Sequence, residues 1–154
     1  MTEAQMTDPG SIATFMFAGK ATFTLVSKKT GARYTYRITR KEGEWKGQPT
    51  LRHFVGVLTG SDNESSYSYL GFFRPESGYI HGGEKAKVQA SAPSAQAFNW
   101  FQGAILSTGG AKALTQADFY HSGRCGRCGR QLTVPASIES GLGPECAGKF
   151  ECAA

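Results

Sequence analysis

All four cysteines of this chain fall between positions 125 and 152, and the residues before them contain none. A disulfide framework spreads its crosslinks through the body it staples, whereas a metal site gathers its donors into one short stretch. The spacing is Cys125-x2-Cys128, then seventeen residues to Cys146, with Cys152 six positions further on and His121 four positions before Cys125. Two thiolates two residues apart can grip one ion from the same side of a turn. Gly126 and Gly129, each following a cysteine, suit a knuckle whose backbone amides turn toward the sulfurs. Gly141-Leu142-Gly143-Pro144 leads into the third cysteine, and proline in the first turn of a helix would set Cys146 there, aimed at the knuckle. The expectation is a treble-clef-like site holding one structural Zn2+ per chain.

Zinc in such a site takes four ligands in a tetrahedron, so Cys125, Cys128 and Cys146 need one more donor, from His121 or Cys152. On a continuous helix Cys152 would lie about 240° round from Cys146, the wrong side unless the helix ends first at Gly148. His121, on the approach to the knuckle, is preferred, with Cys152 as the alternative. Four protein ligands leave no open position, which makes the ion structural. A redox-active Cys-x-x-Cys would open a helix after a strand, and this one sits in a Gly/Arg turn with a further cysteine downstream. The few apolar residues near it (Leu132, Val134, Ile138, Leu142 and Phe150) could not hold the segment together without the metal.

The 154 residues provide for one domain of ordinary size and a small appendage. Three segments are expected: a mobile tail or poorly specified edge over 1–14, an α+β domain over 15–118 and a zinc module over 119–154. No run approaches the roughly 18 to 20 apolar residues of a membrane span, and the start lacks the basic-then-apolar pattern of a signal peptide, so a soluble cytoplasmic protein is expected.

Within the main domain, Ala21 to Ser27 and Arg33 to Arg40 alternate with period two around Lys28-Lys29-Thr30-Gly31, which predicts a β-hairpin whose Gly31 supplies a positive φ. In its second strand Tyr34, Tyr36 and Ile38 form an apolar face and Arg33, Thr35, Arg37 and Thr39 a basic one. Residues 41–51 read as a polar loop. His53 to Thr59 and Tyr67 to Phe73 read as a second antiparallel pair, with Gly56 and Gly71 marking a bulge or close backbone approach. A short strand is expected around Tyr79 and Ile80. One helix, capped by Ser94, carries Ala97, Phe98, Phe101 and Ile105 on one stripe and stops at Gly109-Gly110, and 111–120 is a helical turn or a strand. The fold class that results is α+β, an antiparallel sheet of four or five strands packed on one main helix, followed by the small zinc module.

The string CGRCGRQLTVPASIESGLGPECA, from Cys125 on, resembles a group of uncharacterised C-terminal zinc-knuckle modules of bacteriophage and prophage accessory proteins. Leu132, Thr133, Pro135, Ser137 and Ile138 match the module's pattern and would be its packing and turn residues. The resemblance covers about 25 residues and implies a mobile-element origin and a host bacterial cytoplasm; it brings no activity.

No nucleophile with a base, no paired carboxylates and no phosphate loop has supporting context: Glu42 and Glu44 lie in a polar stretch, His53 is isolated, and Ser107-Thr108-Gly109-Gly110 lacks the Gly-Lys-Ser/Thr ending. A non-catalytic role is expected. Residues 11–60 hold nine Lys/Arg against two carboxylates. Arg33, Arg37 and Arg40 on the sheet, with Arg124, Arg127 and Arg130 around the knuckle, suggest association with nucleic acid or a nucleoprotein complex. The alternative is a protein-binding inhibitor or adaptor acting on a host defence complex, through the same basic face.

Overall fold

A computed structural model of the chain describes residues 4–60, 66–74, 78–82, 86, 88–107, 110–127 and 141–142. Its elements are β1 (Ala4–Met6), α1 (Pro9–Met16), β2 (Lys20–Ser27), β3 (Arg33–Trp45), β4 (Gln48–Leu58), β5 (Tyr67–Arg74), β6 (Gly78–His81), α2 (Pro93–Ile105), α3 (Ala113–Gln116) and β7 (Ala117–His121). The class is α+β, as the alternating patterns imply. The sheet, however, has seven strands in the order β1-β7-β2-β3-β4-β5-β6, all pairs antiparallel, in place of four or five.

Two additions account for most of the difference. The first is at the N-terminus, where a mobile tail was expected: Ala4–Met6 pairs with β7 at the sheet edge, and Pro9–Met16 is helical. Asp8 caps that helix, its Oδ2 accepting the backbone N–H of Ser11 at 2.8 Å, and Pro9 occupies the first turn, where its missing N–H costs nothing. Ile12, Phe15 and Met16, at helical spacing, are fully buried. The second addition is β7 itself, which places Phe119 and His121 beside Leu25 and Phe23 of β2 and runs across the expected 118/119 boundary.

The 41–51 loop is also strand. β3 and β4 stay paired as far as Trp45 opposite Gln48 around the turn Lys46-Gly47, both with positive φ (51° and 78°). A two-residue turn of this kind matches the twist of the strands it joins. The ribbon is exposed over 41–44 and 46–49, so it carries no alternating burial to signal strand.

The helices cover one face of the sheet. Phe98 of α2 meets Tyr36 at 5.1 Å and Tyr79 at 5.1 Å between ring centroids, Phe101 stacks on Phe119 at 5.8 Å, and Phe23 stacks on Phe119 at 4.8 Å. The buried stripe of α2 is Ala95, Phe98, Phe101 and Ile105, with Ala97 only half-buried. Ser94 is not the cap. The helix opens at Pro93 after Ala92 with no side-chain cap, and the Ser94 carbonyl accepts the Tyr36 hydroxyl at 2.6 Å. Burial among these rings raises the Tyr36 and Tyr79 hydroxyls far above the ordinary tyrosine range. Among the described residues no helix covers the opposite face, and none is long and apolar enough to cross a membrane.

Candidate metal centre and basic sheet face

β7 ends at His121, and the chain then turns through Gly123, of φ 82°, into Cys125. His121 and Cys125 are both wholly inaccessible to solvent. The turn is held from three sides. Gly126 accepts the N–H of Lys20 on its carbonyl and donates its own N–H to the Gly141 carbonyl at 2.8 Å, while Ser122 donates to Thr22. Phe15 of α1 forms the floor, its ring 5.6 Å from the His121 ring. A Cβ at Gly126 would lie 2.6 Å from the Phe15 ring and 3.0 Å from its carbonyl oxygen, and one at Gly141 would lie 2.5 Å from that ring. Both glycines are therefore required for close approach to α1, beyond any need of the knuckle turn itself.

The Cys125 Sγ accepts the backbone N–H of Arg127 at 3.4 Å, an amide-to-sulfur bond of the kind that supports a thiolate. This fits a metal-bound cysteine. His121 is arranged differently: its Nδ1 accepts the Gly123 N–H at 2.9 Å, which puts the proton of the neutral ring on Nε2. Ligating an ion through either nitrogen would require that bond to be given up, because an Nε2 ligand carries its proton on Nδ1. Cys128, Cys146 and Cys152, with Arg130 and the helix start expected at Pro144, lie outside the described residues. Among the described residues no three His, Cys, Asp or Glu side chains gather into a metal-sized group.

The expected arginines that are described do not form one patch. Alternation along β3 puts Arg37 on the open face and Arg40 on the other side, at the end of α1. Arg37 shares a cleft of about 330 Å³ with Arg124, Lys20 and the hydroxyl-bearing Thr22, Thr39 and Ser122. Arg40 shares a second cleft, of about 600 Å³, with Arg127, Lys20 and Glu42, and Arg40 and Glu42 form an exposed ion pair at 2.8 Å. Arg33 sits opposite Val26 near the hairpin turn, whereas Arg37 is opposite Thr22, roughly 13 Å along the strand. Lys20, common to both clefts, is absent from the sequence-based set.

Aromatic side chains extend the open face across β4 and β5. Arg37 lies over the Tyr67 ring at 4.1 Å, and Gly56 between them has no side chain to intervene. Arg52 and Arg74 lie over the Phe72 ring at 5.5 and 5.2 Å, with Phe54 near both Phe72 and Tyr69. Gly56 also stands at the bulge where the β4–β5 register shifts, and at Gly71 a Cβ would meet the Ile80 carbonyl at 2.5 Å. The two mid-strand glycines thus mark a bulge and a close approach. His53 lies on the helix side of the sheet, its ring 5.1 Å from Phe17, and burial lowers its pKa.

Fold and geometry together define an α+β protein whose described helices lie on one face of an antiparallel sheet, with a cysteine-bearing C-terminal turn docked on its first helix. Residues 115–151 match a family of unknown function (DUF6011), a stretch that takes in His121, Cys125, Cys128 and Cys146 and stops one residue before Cys152. No curated protein and no solved structure matches this chain.

Proposed function

We propose that this is a non-enzymatic accessory protein that associates with nucleic acid, or with a nucleoprotein complex, across the open face of its sheet. In this reading its C-terminal cysteines hold one structural zinc ion that keeps Arg124 beside the strand cations. The observation that carries it is the cleft shared by Lys20, Arg37 and Arg124 with three hydroxyl side chains. Cations spaced around hydroxyl donors complement phosphate oxygens, and the adjoining Tyr67, Tyr69, Phe54 and Phe72 supply π-faces of the sort that stack on bases. The ion would be held by Cys125, Cys128 and Cys146 with His121 or Cys152. The Arg127 amide on Cys125 supports the thiolate, and the span of the family match favours His121 while the Gly123 hydrogen bond favours Cys152. Zero exposure of Cys125 argues against a redox thiol, which must be reached by its partner. The likeness of the tail to phage and prophage modules supports a mobile-element origin and a bacterial host cytoplasm.

The test is fluorescence anisotropy of labelled single-stranded DNA, single-stranded RNA and duplex DNA over a series of salt concentrations. Binding should weaken steeply with salt, and Arg37→Ala and Arg124→Ala should each lower the salt slope by about one. Binding that is absent, or unchanged in the double variant, would overturn the reading. A protein-binding inhibitor or adaptor is the second reading, favoured by the aromatic and arginine composition of the same open face, which is that of protein interfaces. It predicts no salt-dependent nucleic-acid binding and a stoichiometric protein complex lost in Arg52→Ala.

A further inference from the structure

At the opposite end of β2 from the basic cleft, and on the helix-covered side, the β2–β3 turn, α2 and α3 leave a groove of about 600 Å³. Its walls include Leu25, Tyr34 and Phe101, and Trp100 forms part of its margin. Trp100 lies off the buried stripe of α2 and keeps 43% of its surface exposed, and it is one of two large apolar side chains so exposed among the described residues. Lys29 from the hairpin turn and Lys112 from the start of α3 also line the groove, and among the described residues no aspartate or glutamate does.

From this combination we infer that the groove binds a short acidic segment of a partner protein, with one large apolar side chain of that segment seated between Trp100 and Tyr34 and its carboxylates facing Lys29 and Lys112. The charge of the lining selects the occupant. A cationic or neutral peptide would leave two ammonium groups uncompensated, and a polynucleotide would place charged phosphates over an apolar floor while finding only two cations. The volume accommodates a few side chains, and tryptophan at the edge of an apolar pocket is the residue type that most often dominates such contacts. Because the groove and the basic cleft occupy different ends and different faces of the sheet, both can be filled at once. The inference does not depend on what the open face binds.

A library of random peptides displayed on particles and selected on the full-length protein supplies the probe. Selected peptides should carry Asp or Glu next to an aromatic or large aliphatic residue. In a Trp45→Phe background, where Trp100 is the remaining tryptophan of two, synthetic copies of them should change its fluorescence. Trp100→Ala should weaken their binding at least about tenfold, and Lys29→Glu with Lys112→Glu by a similar factor, with nucleic-acid affinity unaltered. Thermal melting of each variant identifies loss of fold. Selection of no peptide, or of peptides lacking acidic residues, overturns the inference. So does sedimentation showing that Trp100→Ala dissociates a dimer, which would make the occupant a second copy, or a charge-reversed variant that loses nucleic-acid affinity alone.

Discussion

From β2 to β7 the chain is held by large side chains in mutual contact, with Phe23, Tyr36, Phe98, Phe101 and Phe119 all buried and their rings meeting at 4.8 to 6.5 Å. From Ser122 to Arg127 the attachment is of another kind: backbone hydrogen bonds to Thr22, Lys20 and Gly141, and two glycines that admit the edge of Phe15. The first region gains its stability by removing apolar surface from water. The second has little apolar surface to remove, and in the proposed reading a zinc ion on Cys125 completes its attachment. Phe15 belongs to both regions, since it packs edge-on against Phe119 at 6.0 Å and lies under His121, Gly126 and Gly141.

Breaking that shared contact should have the largest effect. Phe15→Ala is expected to cost about 3 to 5 kcal/mol, the range for a buried aromatic truncated in a packed core, read by urea unfolding. It should also loosen the Cys125 turn, which Phe101→Ala, equally buried but remote from the turn, should leave in place. Gly126→Ala comes next, at about 1 to 3 kcal/mol from overpacking against the Phe15 ring and carbonyl. Combining it with Phe15→Leu should give a strongly non-additive double-mutant cycle. A smaller global effect is expected from a zinc chelator: hydrogen exchange should speed up at the amides of Gly123 and Arg127, while those of β2 and β3 keep their protection. Uniform loss of protection across both regions would contradict the division between them.

The smallest effect concerns pH and the sheet region alone. Burial sets the His53 pKa in the folded state below its ordinary value of 6.5. The unfolded chain therefore binds more protons than the folded one as pH falls through the range below 6.5. Stability is complete above that value and declines as pH drops toward the folded-state pKa. Comparing melting temperatures of the parent and His53→Phe from pH 7.5 to 5 should show a shallower decline in the variant.

The hairpin at Gly31, the aromatic stripe of α2 and the β4–β5 pair were legible because each buries one side of a periodic element. The Lys41 to Thr50 ribbon was not, since neither of its faces is buried and nothing alternates. At the N-terminus the Asp8-Pro9 cap and the spacing of Ile12, Phe15 and Met16 were present in the sequence. The helix they start is only eight residues long, too short for periodicity to outweigh the turn-forming composition around it. Pairing of β1 with β7, which joins Ala4 to His121, is a long-range register that local pattern does not encode. The site divides in the same way. Cysteine spacing singled out Cys125, and the strand pattern singled out Arg37, but Lys20 became a neighbour of Arg124 only because β7 lies against β2. Alternation along β3 separates Arg40 from Arg37, although both sit among basic residues in the sequence.

The most direct test of the account is native mass spectrometry of the full chain purified without chelator, beside Cys125→Ser, His121→Ala and Cys152→Ser. The account predicts one zinc ion per chain in the parent, none in Cys125→Ser, and loss in whichever of the other two variants removes the fourth ligand. A parent chain that carries no zinc would contradict it, and would leave the Cys125 turn held by Phe15 and its hydrogen bonds alone.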